Sequence, residues 1–260
     1  MSKIISVLVI ILFILTLAFS YKARNYRFSF VKTLHDVVSG EKITKPEKKL
    51  EIIDKPIIFD AQRKYLTVTY RDKHSADCDY KTKGIEACLV IEPKIIVLHM
   101  TDLKTLEDSF GYMNEPVLRE EREKLISRSF DRLNVSVQYL IDRDGTTYRL
   151  MPENYMARHA IGVNHDSIGI ENVGMNNDGP TPEQVESAYK LVFSLMKKYN
   201  IGVENIYSHA STATLKEQNS PFFIEKDENY FEPKNCGKKI LSAVKDKLEN
   251  TVNNAGGSND

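Results

Sequence analysis

The sequence predicts an α/β layer fold in which a central mixed β-sheet is flanked by helices. Three observations predict it. Short continuous apolar runs of the buried-strand type recur along the chain, two strand patterns are joined by a hairpin signal, and helical i, i+3, i+4 patterns separate the strands. From residue 94 onward the order reads strand, helix, hairpin, strand, helix, strand, helix.

The elements follow in chain order. Residues 4–20 form an apolar run preceded by Lys3 and followed by Lys22, Arg24 and Arg27. At that length the run reads either as a signal peptide or as a membrane anchor. Either one exports the remainder. Residues 21–93 are polar, Lys-rich and weakly patterned, an N-terminal extension with one alternating run, Tyr65-Leu66-Thr67-Val68-Thr69-Tyr70, that predicts a strand. Ile95-Ile96-Val97-Leu98 is a buried strand ending at His99, and residues 116–130 carry a helical pattern. Residues 135–141 alternate as a strand, and Asp144-Gly145 turns it into Thr147-Tyr148-Arg149-Leu150. Ser167 to Val173 is a further apolar strand with Glu171 inside it. Thr181, Pro182 and Gln184 make a capping box for a helix with apolar residues at 185, 188, 189, 192, 195, 196 and 199, stopped by Asn200 and Gly202. Ile206-Tyr207-Ser208 is a short strand ending at His209. A last amphipathic helix spans 238–248, and the Asn- and Gly-rich tail, 249–260, is expected to be disordered.

Composition narrows the function classes. Among 260 residues, 36 Lys+Arg balance 36 Asp+Glu, which excludes a basic nucleic-acid binder. The 42% hydrophobic content is enough to close a core. Of three cysteines, Cys78 and Cys88 lie ten apart in a polar stretch and fit a small disulfide loop in an oxidising compartment. Cys236 is left over, to be weighed as a nucleophile or metal ligand.

His99, His209 and Cys236 are the residue types that bind zinc, and three protein ligands with an open fourth position is the catalytic arrangement. Their sequence spacing matches no short zinc motif. Glu171 fits either an ion-pair partner or a general base with a raised pKa.

Four local words bear on the choice: 96–101 (IVLHMT), 134–146 (NVSVQYLIDRDGT), 157–162 (ARHAIG) and 167–171 (SIGIE). In this order and register they resemble the zinc-dependent type 2 N-acetylmuramoyl-L-alanine amidases, a family that includes phage amidase lysozymes and the peptidoglycan recognition proteins. The resemblance covers about residues 94–248, the expected amidase domain. It implies zinc (Zn2+) held by His99, by His209 in a Ser-His segment, and by an Asp or Cys that Lys234-Asn235-Cys236-Gly237 matches, with the family's Pro missing and an insertion over 211–230; Glu217 is the alternative third ligand. It further implies Glu171 as the catalytic acid and base, Lys234 as the cation stabilising the oxyanion, and His159 and Asn172 as substrate contacts. Gln138 stands where the family often has His.

The implied activity is hydrolysis of the bond between N-acetylmuramic acid and L-alanine in peptidoglycan or muropeptides. The alternative is a non-catalytic peptidoglycan-binding protein on the same fold. The expected setting is the periplasm or cell envelope, with membrane contact only through residues 1–20, no nucleic-acid partner, and a monomer.

Overall fold

The computed structural model describes residues 50–120, 132–227 and 236–256. The expected signal or anchor segment and Lys234 lie outside the described residues. No helix among the described residues is long and apolar enough to cross a membrane.

Within the compact unit Lys45–Asn250, six strands form one mixed sheet: β1 (Ile52–Asp54), β2 (Ile95–Met100), β3 (Tyr139–Ile141), β4 (Thr147–Arg149), β5 (Ser167–Asn172) and β6 (Ile206–Ser208), in the spatial order β1-β4-β3-β5-β2-β6. All pairs are parallel except the β3–β4 hairpin. Gly145 completes that turn at φ +85°, a conformation costly for any residue with a Cβ. β2 has every residue buried and β5 all but one, the burial expected of parallel strands covered on both faces.

Among the described residues the α-helices are α1 (Ala61–His74), α2 (Tyr80–Lys83), α3 (Ile85–Leu89), α4 (Leu106–Asn114), α5 (Pro182–Tyr199), α6 (Ala213–Glu217) and α7 (Lys238–Gly256). The capping box of α5 forms as its sequence predicts: the Thr181 hydroxyl accepts from the Gln184 amide, and the Gln184 side chain accepts from the Thr181 amide. Gln184 also donates to the carbonyls of Ile141 and Val173, which ties the start of α5 to the ends of β3 and β5. Asn200 closes α5 in the left-handed conformation.

Three expectations are corrected, and a fourth falls mostly outside the described residues. Residues 65–70 are helical, inside α1, which Asp60 caps by accepting from the Arg63 amide. The buried stripe of α1 comprises Arg63, Thr67, Val68, Tyr70, Arg71 and His74, so it is mostly polar and invisible to an apolar-pattern reading. The second strand is confined to β3, because residues 134–138 hydrogen-bond to loops instead: Asn134 to Pro116 and Ser136 to Arg158. Of the helix expected over 116–130, residues 121–130 fall outside the described part, and at 117 the chain forms an antiparallel bridge with Leu133. α4 precedes this segment and is started by Thr105, whose hydroxyl accepts from the Asp108 amide. Lastly, α7 continues past 248 to Gly256, since no Gly or Pro intervenes to stop it.

The polar stretch before residue 94 supplies the edge strand β1 and the helices α1 to α3. Cys78 and Cys88 form a disulfide there. Arg71 reinforces it, donating to the Cys88 and Val90 carbonyls while its guanidinium pairs with Asp77.

Candidate metal centre

Sheet order alone brings the chemistry together. In the β2–β5 pairing His99 stands opposite Glu171, and in the β2–β6 pairing Leu98 stands opposite Ser208, so His209 follows beside His99. Glu171, His99 and His209 therefore line one edge, at the carboxyl ends of three adjacent parallel strands, where open α/β sheets bind ligands.

Cys236 arrives from 27 residues further along the chain. Past Leu98, β2 has lost its β6 partner, and Met100 turns its amide and carbonyl toward open space on that side. The Cys236 sulfur fills it, accepting from the Met100 amide and donating to the Met100 carbonyl, both at 3.2 Å. The Cys236 carbonyl accepts from the Ala210 amide. Gly237 lies so close to β2 that a Cβ there would collide with the Leu98 carbonyl, and its φ of +80° is the left-handed region. Glycine after Cys236 is thus required by close approach.

The ligand atoms of His99, His209 and Cys236 lie within 4.8 Å of one another. Burial pushes the His99 imidazole well below its ordinary range, with His209 and His159 adding to the effect, and takes His209 down to about 4. Both rings are held neutral, the form that offers a lone pair. Burial, with the charge of Glu171, pushes the Cys236 thiol up to about 12. Two converging neutral imidazoles and a thiol that ionises only beside a cation are a donor set that fits zinc. Glu217, on α6, is not part of the cluster.

Glu171 brings one carboxylate oxygen to 3.9 Å from His99 Nδ1, while its other oxygen is enclosed with no hydrogen-bond partner among the described residues. Burial raises this carboxyl to about 8.

The two residues expected to contact substrate each have internal partners. Asn172 is fully buried and donates to the His99 carbonyl at 3.0 Å, holding the ends of β2 and β5 together. His159 is 9% exposed; its Nδ1 lies 3.1 Å from His99 Nε2 and its Nε2 lies 3.2 Å from the Ser167 hydroxyl. Gln138 is a backbone partner, accepting from the Gly169 amide and donating to the Tyr155 carbonyl. Sequence reasoning missed Ser167 as a partner of His159, and it named Gly237 in the matched segment without the close approach to Leu98 that requires glycine there. The insertion packs Phe222 and Phe223 against a cluster of Ile95, Val97, Ala160, Val163 and Leu215, in which Ile95 and Val97 share a face of β2 with His99. A separate cleft of about 750 Å3, bordered by Asp54, Arg149, Glu153 and Lys198, shares no residue with this cluster.

The family model for N-acetylmuramoyl-L-alanine amidase matches residues 90–222. The endolysins of Escherichia phage T7 and Enterobacteria phage T3 are each 37% identical over 73 residues, which is 26% of this chain and 48% of theirs. The chain therefore spans about half the length of the curated relatives it matches. Among solved structures, the endolysin amidase LysCS from Clostridium intestinale URNW is 23% identical, covering 78% of this chain and 98% of its own at a TM-score of 0.44. An AmpD derivative is 18% identical, covering 76% and 94% at a TM-score of 0.45. Since the family match takes in β2 through β6 and with them His99, Glu171 and His209, the chain belongs to the N-acetylmuramoyl-L-alanine amidase family.

Proposed function

We propose that this protein is a zinc-dependent amidase that hydrolyses the bond between the lactyl group of N-acetylmuramic acid and the first L-alanine of peptidoglycan. The observation that carries the reading is the meeting of His99, His209 and Cys236 beside an enclosed Glu171 carboxyl. Zinc held by the three donors supplies a Lewis acid for the amide carbonyl.

The remaining work belongs to the chain. A cation at the cluster favours the ionised form of Glu171, which accepts a proton from the attacking water as the carbon–oxygen bond forms. The same carboxyl then gives that proton to the amide nitrogen as the carbon–nitrogen bond breaks, releasing the free amine of L-alanine. Lys234, two residues before Cys236, is assigned the cation that stabilises the oxyanion.

Residues 4–20 are assigned to export, which takes the domain to the cell envelope, where this substrate is. The disulfide between Cys78 and Cys88 agrees with that compartment. Fractionation checks it: the full chain is expected in the membrane or envelope fraction, and a full-length cytosolic product overturns it. For the activity, the experiment is metal analysis of the purified protein together with a muropeptide digest. One zinc per chain and a new L-alanine amino terminus are expected; muropeptide binding without zinc or cleavage replaces the enzyme by a binding protein.

A further inference from the structure

We infer that Ser167 and His159 form a hydrogen-bond relay that fixes the His99 imidazole with its proton on Nε2 and its lone pair on Nδ1, so that His159 is a positioning residue for the metal and not a substrate contact. The inference rests on the metal reading of the cluster.

Proton counting carries it. The Ser167 hydroxyl has one hydrogen, and it goes to the Val163 carbonyl at 2.6 Å. Toward His159 Nε2, 3.2 Å away, the same oxygen can therefore only accept, so Nε2 holds the proton of the His159 ring. In a neutral His159 ring Nδ1 is then bare and can only accept. Its partner at 3.1 Å is His99 Nε2, which must donate. One proton remains for a neutral His99 ring, and it is spent. Nδ1 is left as the lone-pair atom, on the side of the ring that faces Glu171 at 3.9 Å. Metal-bound histidines commonly owe their tautomer to the partner of the second ring nitrogen.

The surroundings hold the relay in place. Gly169 interrupts a buried strand, where a β-branched residue is the ordinary choice, and the His159 ring occupies the space; a Cβ at Gly169 would lie 2.8 Å from ring carbons of His159. The backbone of the His159 turn is fixed by Asn164, whose side-chain oxygen accepts from the His159 and Ala160 amides at 2.8 Å. The rings of His99 and His159 meet edge to face, 5.2 Å apart between centres.

The test reads the tautomer directly, by long-range 15N–1H correlation spectra of the metal-free full chain, and reads zinc affinity by competition with a chelator. In the wild type His99 is expected to be protonated at Nε2; protonation at Nδ1 overturns the relay whether or not the protein takes up zinc. Failure of the wild type to bind zinc, with His99 still protonated at Nε2, instead overturns the metal reading. His159→Leu is expected to weaken zinc binding by about 10- to 100-fold. His159→Asn places an acceptor where Nδ1 stood and is expected to stay within a few-fold of wild type. Equal loss in both, or none in a folded His159→Leu, overturns the relay. Should His159→Leu not fold, Ser167→Ala decides. Freed from its partner, His159 can move its proton to Nδ1, so the Nδ1-protonated form of His99 is expected to appear; an unchanged tautomer and unchanged affinity overturn the relay.

Discussion

Each residue at the cluster has a distinct chemical demand, and substitutions separate them. The Met100 backbone holds the Cys236 thiol by one accepted and one donated bond, and a thiolate keeps the one accepted from the Met100 amide, so the sulfur can be tested against a carboxylate. Cys236→Ser is expected to lose most of the zinc and nearly all activity, because a neutral hydroxyl is a poor donor and two histidines hold the ion weakly. Cys236→Asp is expected to recover zinc and part of the hydrolysis. A serine variant with full zinc by metal analysis would remove Cys236 from the ligand set. Glu171 is tested by Glu171→Gln, which keeps shape and removes the proton-accepting form. The rate is expected to fall by about 10²-fold or more with zinc still bound, and an equally active Gln variant would place the base elsewhere.

At the scale of elements, β2 and β5 are legible because parallel strands buried on both faces leave nearly continuous apolar runs, and β2, β5 and the short β6 each carry a residue with chemistry at or next to the carboxyl end. The capping box of α5 was legible because its partners are local. What the sequence hid were elements buried through polar side chains. In α1 Arg63 is fully buried, with burial lowering its guanidinium to about 10. It donates to the carbonyls of Ile58, Met113, Asn114 and Val135, joining α1 to the end of α4 and to the approach to β3. No apolar periodicity marks such a residue. Nor does any local pattern show that Cys236 meets Met100 or that His159 meets Ser167, since these contacts exist only once the sheet order is set. Arg63→Leu leaves four carbonyls without their charged donor, and is expected to destabilise the protein by about 2–4 kcal/mol in denaturant titration. A change within about 0.5 kcal/mol would mean that α1 is held by its apolar contacts alone.

For the molecule as a whole, balanced charge leaves pH sensitivity to particular buried groups. Asp166 is the test case away from the metal cluster. It precedes β5, and its carbonyl receives the amides of Lys94 and Ile95 at the start of β2. Its carboxyl is buried, one oxygen has no hydrogen-bond partner among the described residues, and the other lies 3.9 Å from His165. Burial raises this carboxyl to about 7, and the charge of Asp77 also raises it, while Lys94 and Arg71 act in the opposite sense. In the unfolded chain an aspartate titrates near 3.9, so between the two values the folded protein holds the extra proton. The stabilisation from that proton is fully present below about pH 4 and is lost as pH rises through 7, the sign required when the native state binds more protons. In Asp166→Asn the group stays neutral at every pH, so this loss cannot occur. The variant is expected to melt close to the wild type near pH 4 and progressively above it as pH rises from there to about 7, the gap staying level beyond that. Melting curves from pH 4 to 8 decide it: a constant offset between the two proteins would show that Asp166 is already ionised in the fold at pH 5, compensated by Lys94 and Arg71.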